Sequence, residues 1–200
     1  MLNATLIAIR TTIVTLVLTG IVYPVVMTGL AQSLFPDRAN GSLMRNGQGQ
    51  VVGSSLIGQN FGQPAYFWPR PSAAGEKGYD PTSSGGSNLA ATSQKLRDRI
   101  AGDLARLSEA NPDAPGPVPI ELVTASASGL DPHVSPQAAL WQVARVARAR
   151  NITPERVRQI VEAQTEGRDL GILGEPRVNV LLLNVALDRR FGRPELHVER

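Results

Sequence analysis

Ser126, Ser128, Asp131 and His133 fall within one short run, LVTASASGLDPHVSPQAALWQ, residues 122–142. Serine, histidine and aspartate are the residue types of a hydrolase triad, in which a base takes the proton of a nucleophilic hydroxyl and a carboxylate orients the base. Their spacing argues against that chemistry. Triad members converge from distant chain positions, and no G-x-S-x-G turn presents a serine here. Gly129-Leu130-Asp131-Pro132 reads instead as a turn, in which Asp and Ser side chains bond nearby backbone N–H groups. The expectation is a structured polar loop without a catalytic residue.

Other chemistry-bearing patterns are sparse. Gly53-Ser54-Ser55-Leu56-Ile57-Gly58-Gln59-Asn60 has the glycine spacing of a phosphate-binding loop, but Gln-Asn stands where Lys-Ser/Thr must follow to answer the phosphate charge. Ser84-Gly85-Gly86-Ser87-Asn88 has the composition of an anion-binding nest, and also of an ordinary flexible turn. The Asp-Lys-Thr-Gly phosphorylation motif is missing, so the chain is not expected to hydrolyse ATP alone. The absence of cysteine excludes disulfides, thiolate metal sites and cysteine nucleophiles. With His133 and His197 the only histidines, no metal site is expected either.

The formal charge is +3 and the pI about 9.8. Arg145, Arg148, Arg150, Arg156 and Arg158 cluster over two expected helices, which suits a solvated face or an anionic partner surface. The basic residues are not interleaved with aromatics that would stack bases, which argues against nucleic acid as a partner.

Two parts of the chain must position whatever chemistry exists. Residues 11–36, TTIVTLVLTGIVYPVVMTGLAQSLFP, carry no charge and exceed the roughly 20 apolar residues that a membrane-spanning helix needs. Pro24, Gly20 and Gly29 are tolerable inside such a helix. A cleaved signal peptide has a shorter apolar core, about 7–15 residues, behind a charged segment, so a retained single-pass anchor is expected over 1–36, spanning about 11–35. Residues 37–200 are expected to form one soluble α/β or α+β domain.

Within that domain, residues 42–45, Asn46-Gly47 and 50–52 read as strand, turn and strand. A long Gly/Pro/Ser-rich stretch follows at 53–92, with nothing periodic in it. It holds Phe61, Tyr66, Phe67, Trp68 and Tyr79, whereas disordered segments are poor in aromatics. The stretch is therefore expected to be ordered and to offer a docking face through Tyr66, Phe67, Trp68 and Arg70. Leu96, Ile100, Leu104 and Leu107 mark an amphipathic helix, and residues 120–124 read as a short strand. Ser135-Pro136 and Thr153-Pro154 open two further helices, the first burying Ala139, Leu140, Val143 and Ala147, the second Val157, Ile160 and Val161. From Pro176, RVNVLLLNVALDRRF reads as a buried helix ended by Gly192.

The blocks GSSLIGQNF, YFWPRPSA, SGGSNLA, ELVTASASGLDPHVSPQAALWQVARVARARN and GEPRVNVLLLNVALD closely resemble the C subunit of the Kdp potassium-transporting ATPases, in order and over nearly the whole chain to about Asp188. That resemblance implies a non-catalytic subunit of a bacterial high-affinity potassium pump, with one N-terminal span in the inner membrane and a soluble domain on the extracytoplasmic side. It implies as partners an ATP-hydrolysing subunit, a channel-like potassium-binding subunit and a small subunit. The family is described as a catalytic chaperone that raises the ATP affinity of the hydrolysing subunit. A glutamine of the SPxAAxxQ helix, here Gln142, is the nucleotide-contacting candidate, ATP being held only in a ternary complex and no cofactor tightly. The alternative is an external gating or docking module at the mouth of the potassium-binding subunit, without nucleotide contact.

Overall fold

The computed structural model describes residues 2–45 and 48–194. The chain packs as two units, one up to Ser54 and one from Ser55 onward. Helix α1 of the first unit runs over Leu2–Leu34. Its 33 residues are about 50 Å long at ~1.5 Å per residue, more than the ~30 Å of a bilayer core. It begins well before the expected span and takes in Arg10, because residues 2–9 continue the same apolar composition. Pro24 has no N–H for the carbonyl of Gly20, and the helix absorbs the missing bond as a π-helical turn at Leu18–Val22. The hydroxyls of Thr15, Thr19 and Ser33 each donate to a carbonyl four residues back, at 2.7–2.8 Å. No residue of the apolar window is buried by protein. These three hydroxyls are satisfied within the helix while the apolar side chains face outward, which is how a helix suits hydrocarbon as its solvent.

A short helix α2 (Pro36–Ala39) and a two-stranded antiparallel hairpin complete this unit. β1 (Leu43–Arg45) pairs with β2 (Val51–Ser54) through Leu43↔Ser54 and Met44↔Gly53. The expected Asn46-Gly47 turn lies outside the described residues.

The second unit is built around a helix buried on nearly every side. α3 (Gln94–Ala110) is amphipathic as expected, but it packs sparsely: Leu107 is buried and Ile100 partly so, while Leu104 is exposed. α4 (Pro136–Ala149) starts where Ser135 and Pro136 place it, the Ser135 hydroxyl accepting from the N–H of Ala138 at 3.1 Å. Ala138, Ala139, Trp141, Val143, Val146 and Ala147 are all buried, so α4 is the centre of the core rather than its edge. α5 (Pro154–Ala163) packs on α4 and buries Val157, Ile160 and Val161.

A three-stranded antiparallel sheet has the order β3 (His133–Val134), β5 (Arg177–Asn179), β4 (Thr165–Glu166), with His133↔Asn179 and Thr165↔Val178 in register. Its antiparallel strands and segregated helices make the domain α+β.

Two local expectations differ. Residues 177–179 are strand, and helix α6 (Val180–Phe191) begins only at Val180, because the Asn179 side chain caps it by accepting from the N–H of Leu182 at 3.1 Å. Gly192, at φ 81°, ends it as expected. Residues 120–122 form a 3₁₀ turn instead of a strand. Leu122 and Val123 are both buried, which adjacent residues of a strand, facing opposite ways, do not achieve on a one-sided core. The Glu121 carboxylate accepts from the backbone N–H and the hydroxyl of Ser135, tying this turn to the start of α4.

Leu183 lies fully buried in the core. Leu183→Ala is expected to destabilise the protein by about 2–5 kcal/mol, read as a lowered urea midpoint of the full chain in detergent.

Candidate functional site

Residues 55–92 contain no helix or strand beyond a 3₁₀ turn at Pro81–Ser83. The segment is nevertheless packed, with Phe67 at 0% and Trp68 at 7% exposure. Burying irregular backbone strands N–H and C=O groups that a ladder would have paired, and each costs free energy unless it finds another partner. Polar side chains of α4 and α6 supply those partners.

Gln142 on α4 faces Trp68. Its Oε1 accepts from the N–H of Trp68 at 2.8 Å, and its Nε2 donates to the carbonyl of Trp68 at 3.1 Å. Asn184 on α6 does the same to the neighbouring residue: Oδ1 accepts from the N–H of Phe67 at 2.8 Å and Nδ2 donates to its carbonyl at 3.0 Å. Two carboxamides from two helices thus replace the two flanking strands that a sheet would have provided. Both are fully enclosed, Gln142 at 0% exposure.

Two arginines extend the frame. Arg145 is one turn beyond Gln142 and donates to the carbonyls of Pro64 and Tyr66, to Oδ1 of Asn111 at 3.0 Å, and to Oε1 of Gln142 at 2.6 Å. Its guanidinium lies 4.1 Å from the centroid of the Trp68 ring, a cation–π contact. No carboxylate pairs with it among the described residues. Burial first, and the charge of Arg106 second, pull its pKa down to about 9, which leaves it protonated at neutral pH. Arg150 donates to the carbonyl of Ala65 at 2.7 Å and pairs with Asp188 at 2.7 Å, while the Tyr66 hydroxyl donates to the other oxygen of Asp188 at 3.0 Å. Burial and that carboxylate together raise the pKa of Tyr66.

The far end of the segment is held by the polar loop at 126–133. Arg70 pairs with Asp131 at 2.9 Å, and the Ser72 hydroxyl donates to the carbonyl of Gly129 at 2.6 Å. Gly129 has φ 67°, and a Cβ there would stand 2.7 Å from that of Ala74 and 2.8 Å from the carbonyl oxygen of Gly85, so the two chains cross only over a glycine.

The residues first suspected of catalysis are occupied in the same way. The hydroxyl of Ser126 accepts from the N–H of Gly129 at 2.9 Å and that of Ser128 from the N–H of Leu130 at 3.1 Å. Asp131 accepts from the N–H of His133 at 3.0 Å. His133 lies 3.3 Å from Asp131 and makes no bond to either serine. Burial raises the pKa of Asp131, but its hydrogen bonds with His133 and the charge of Arg70 outweigh that and hold the carboxyl below its usual value. The group is a stapled turn.

The structure places three groups singled out in the sequence as follows. Phe67 and Trp68 belong to the core, so they are no exposed docking face; Tyr66 and Arg70 keep part of their surface outside. The amide of Gln142, the nucleotide candidate, has both ends bonded inside the domain. The arginine cluster is divided: Arg145 and Arg150 turn inward to the loop, while Arg148 meets Asp113 at the surface. Asn184 and Asp188 escaped notice in the sequence. Their signal was two polar residues four apart, and so on one face, of a helix that Asn184 alone interrupts as an apolar run from Val180 to Leu187.

Among the described residues no three His, Asp or Glu side chains gather as a metal site. A helix long and apolar enough to cross a membrane is thus joined to an α+β domain whose described polar side chains largely bond its own backbone. The model of the K+-transporting ATPase C chain family matches residues 5–189. A "Potassium-transporting ATPase KdpC subunit" of Myxococcus xanthus is 64% identical over 192 residues, 96% of this chain and 90% of its own. Proteins of the same name from Rhodospirillum rubrum (57% over 174 residues, 87% and 89%) and Burkholderia orbicola strain MC0-3 (55% over 170 residues, 85% and 88%) are also similar. The chain belongs to the family of K+-transporting ATPase C chains. It is thus a subunit of that ATPase and not its catalytic subunit.

Removing either carboxamide leaves a buried backbone N–H and C=O unpaired. Gln142→Ala and Asn184→Ala are each expected to cost about 1–3 kcal/mol per group left without a partner. The check is a lowered urea midpoint together with faster proteolysis between Tyr66 and Tyr79.

Proposed function

We propose that this chain is the membrane-anchored, single-pass accessory subunit of an ATP-driven high-affinity potassium uptake complex, and that it serves assembly and stabilisation of the pump. The observation carrying this reading is the pairing of a 33-residue apolar helix, unburied by protein, with a domain whose irregular segment is fixed from within. A rigid surface pays little ordering entropy on docking, and a shared membrane raises the effective concentration of its partners. The partners are the ATP-hydrolysing subunit, the channel-like potassium-binding subunit and the small subunit. In this reading the domain lies on the extracytoplasmic side of the bacterial inner membrane. Tyr66 and Arg70 are proposed docking contacts, with Phe67 and Trp68 supporting them from beneath.

The family's description as a chaperone raising ATP affinity is accommodated by docking alone: a subunit that stabilises one state of the complex alters the ATP affinity of the hydrolysing subunit without touching the nucleotide. The bonded state of the Gln142 amide favours this route over direct contact.

Two measurements on the purified complex test the proposal. In complexes matched for subunit content, Gln142→Ala is expected to leave the ATP concentration for half-maximal hydrolysis within about twofold of wild type, well under the tenfold that 1.4 kcal/mol of lost contact represents. A single cysteine replacing exposed Lys77 should react with a membrane-impermeant maleimide in intact cells. Labelling only after lysis, together with a tenfold or larger rise in the ATP requirement of Gln142→Ala, would establish direct nucleotide handling instead.

A further inference from the structure

The largest concentration of exposed aliphatic surface outside the N-terminal unit lies between β4 and β5. Leu170 is 89% exposed, Ile172 75% and Leu173 56%. The tip is a closed turn rather than a loose loop. Asp169 and Leu173 exchange both backbone hydrogen bonds at 2.9 Å, and Gly171 donates to the carbonyl of Arg168 at 3.0 Å. Leu170 sits at φ 54°, a left-handed conformation that a branched apolar residue adopts at a cost of about 1 kcal/mol. Side-chain ion pairs brace the base: Arg168 with Glu175 at 2.8 Å, and Arg177 with both Glu166 at 3.0 Å and Asp169 at 3.2 Å.

We propose that the 170–173 turn is a preformed plug that seats in an aliphatic pocket on another subunit of the same ATPase complex, an inference that rests on the accessory-subunit reading above. The turn bonds named above already pair part of its backbone, so entering a dry pocket strands fewer polar groups. The charges favour a protein over a lipid surface. Two arginines face three carboxylates around the tip, each arginine is already paired, and the tip carries no aromatic residue, whereas anionic lipid headgroups select free basic and aromatic side chains. Size favours a partner already held in the same complex over association through this turn alone. Three aliphatic side chains cover roughly a few hundred Å², against about 800 Å² per partner in a stable free-standing interface. Such a plug gains useful affinity only toward a surface held nearby by another attachment, which a common membrane provides.

The test uses the whole complex purified in detergent through a tag on this chain. Ile172→Asp is expected to lower recovery of the other ATPase subunits at least tenfold, and the matched control Ile120→Asp, at another exposed isoleucine, to leave it unchanged. Because the chain has no cysteine, Ile172→Cys carrying a benzophenone maleimide should crosslink on irradiation to one other ATPase subunit, identified by mass. This second arm decides the matter if Ile172→Asp also lowers the melting temperature of the full chain. Wild-type recovery with Ile172→Asp, or crosslinks only to lipid or to a second copy of the chain, would overturn the plug and leave the accessory role standing. Failure of the wild-type chain to recover any other ATPase subunit would remove both.

Discussion

The backbone of Phe67 and Trp68 is buried without a strand beside it, and the second unit depends on how that is made tolerable. Each residue offers one N–H and one C=O to the interior. Gln142 and Asn184 meet both groups of one residue each, from helices far apart in sequence. A carboxamide presents a donor and an acceptor at a fixed separation, which is what an extended peptide needs from its neighbour. The rings of Phe67 and Trp68 can then add to the core while their backbone stays paired.

The charge of Arg145 follows from the same constraint. A buried guanidinium without a carboxylate is costly, and among the described residues the positive end is answered by carbonyl and carboxamide oxygens and the face of Trp68. An arginine is the one side chain with enough donors in a planar fork to reach several carbonyls of an irregular segment at once. Arg150 repeats the device closer to the surface, where Asp188 neutralises it and also accepts from Tyr66. The loop is thereby fastened at Pro64, Ala65, Tyr66, Phe67 and Trp68 in succession.

This arrangement separates the two kinds of polar residue that a functional reading must distinguish. Gln142, Arg145, Asn184, Ser126 and Asp131 are polar because a backbone group elsewhere requires them, and their bonding leaves little for an outside ligand. The apolar turn at 170–173 is the converse: hydrophobic side chains left outside on a braced base. In an accessory subunit the surfaces that act on partners need carry no reactive group, and an exposed aliphatic cluster is as informative as a cluster of acids would be in an enzyme.

Periodicity and punctuation were legible in the sequence because they are local. The apolar run before Pro36, the proline-led starts of α4 and α5 and the glycine end of α6 follow from solvent, capping and backbone freedom within a few residues. The family too was legible, since its blocks are long and contiguous. The first turn of the 177–191 segment was not, because Asn179 can cap a helix or continue one, and pairing of Val178 with Thr165 and Val134 decides between them. Nor was the inward turn of Phe67, Trp68, Arg145 and Gln142. Aromatics in an irregular stretch and arginines on a helix have the same composition whether they face solvent or one another. Only tertiary packing brings residues 64–68 to the polar side of α4 and α6, where burial makes an unpaired backbone group costly enough to select those side chains.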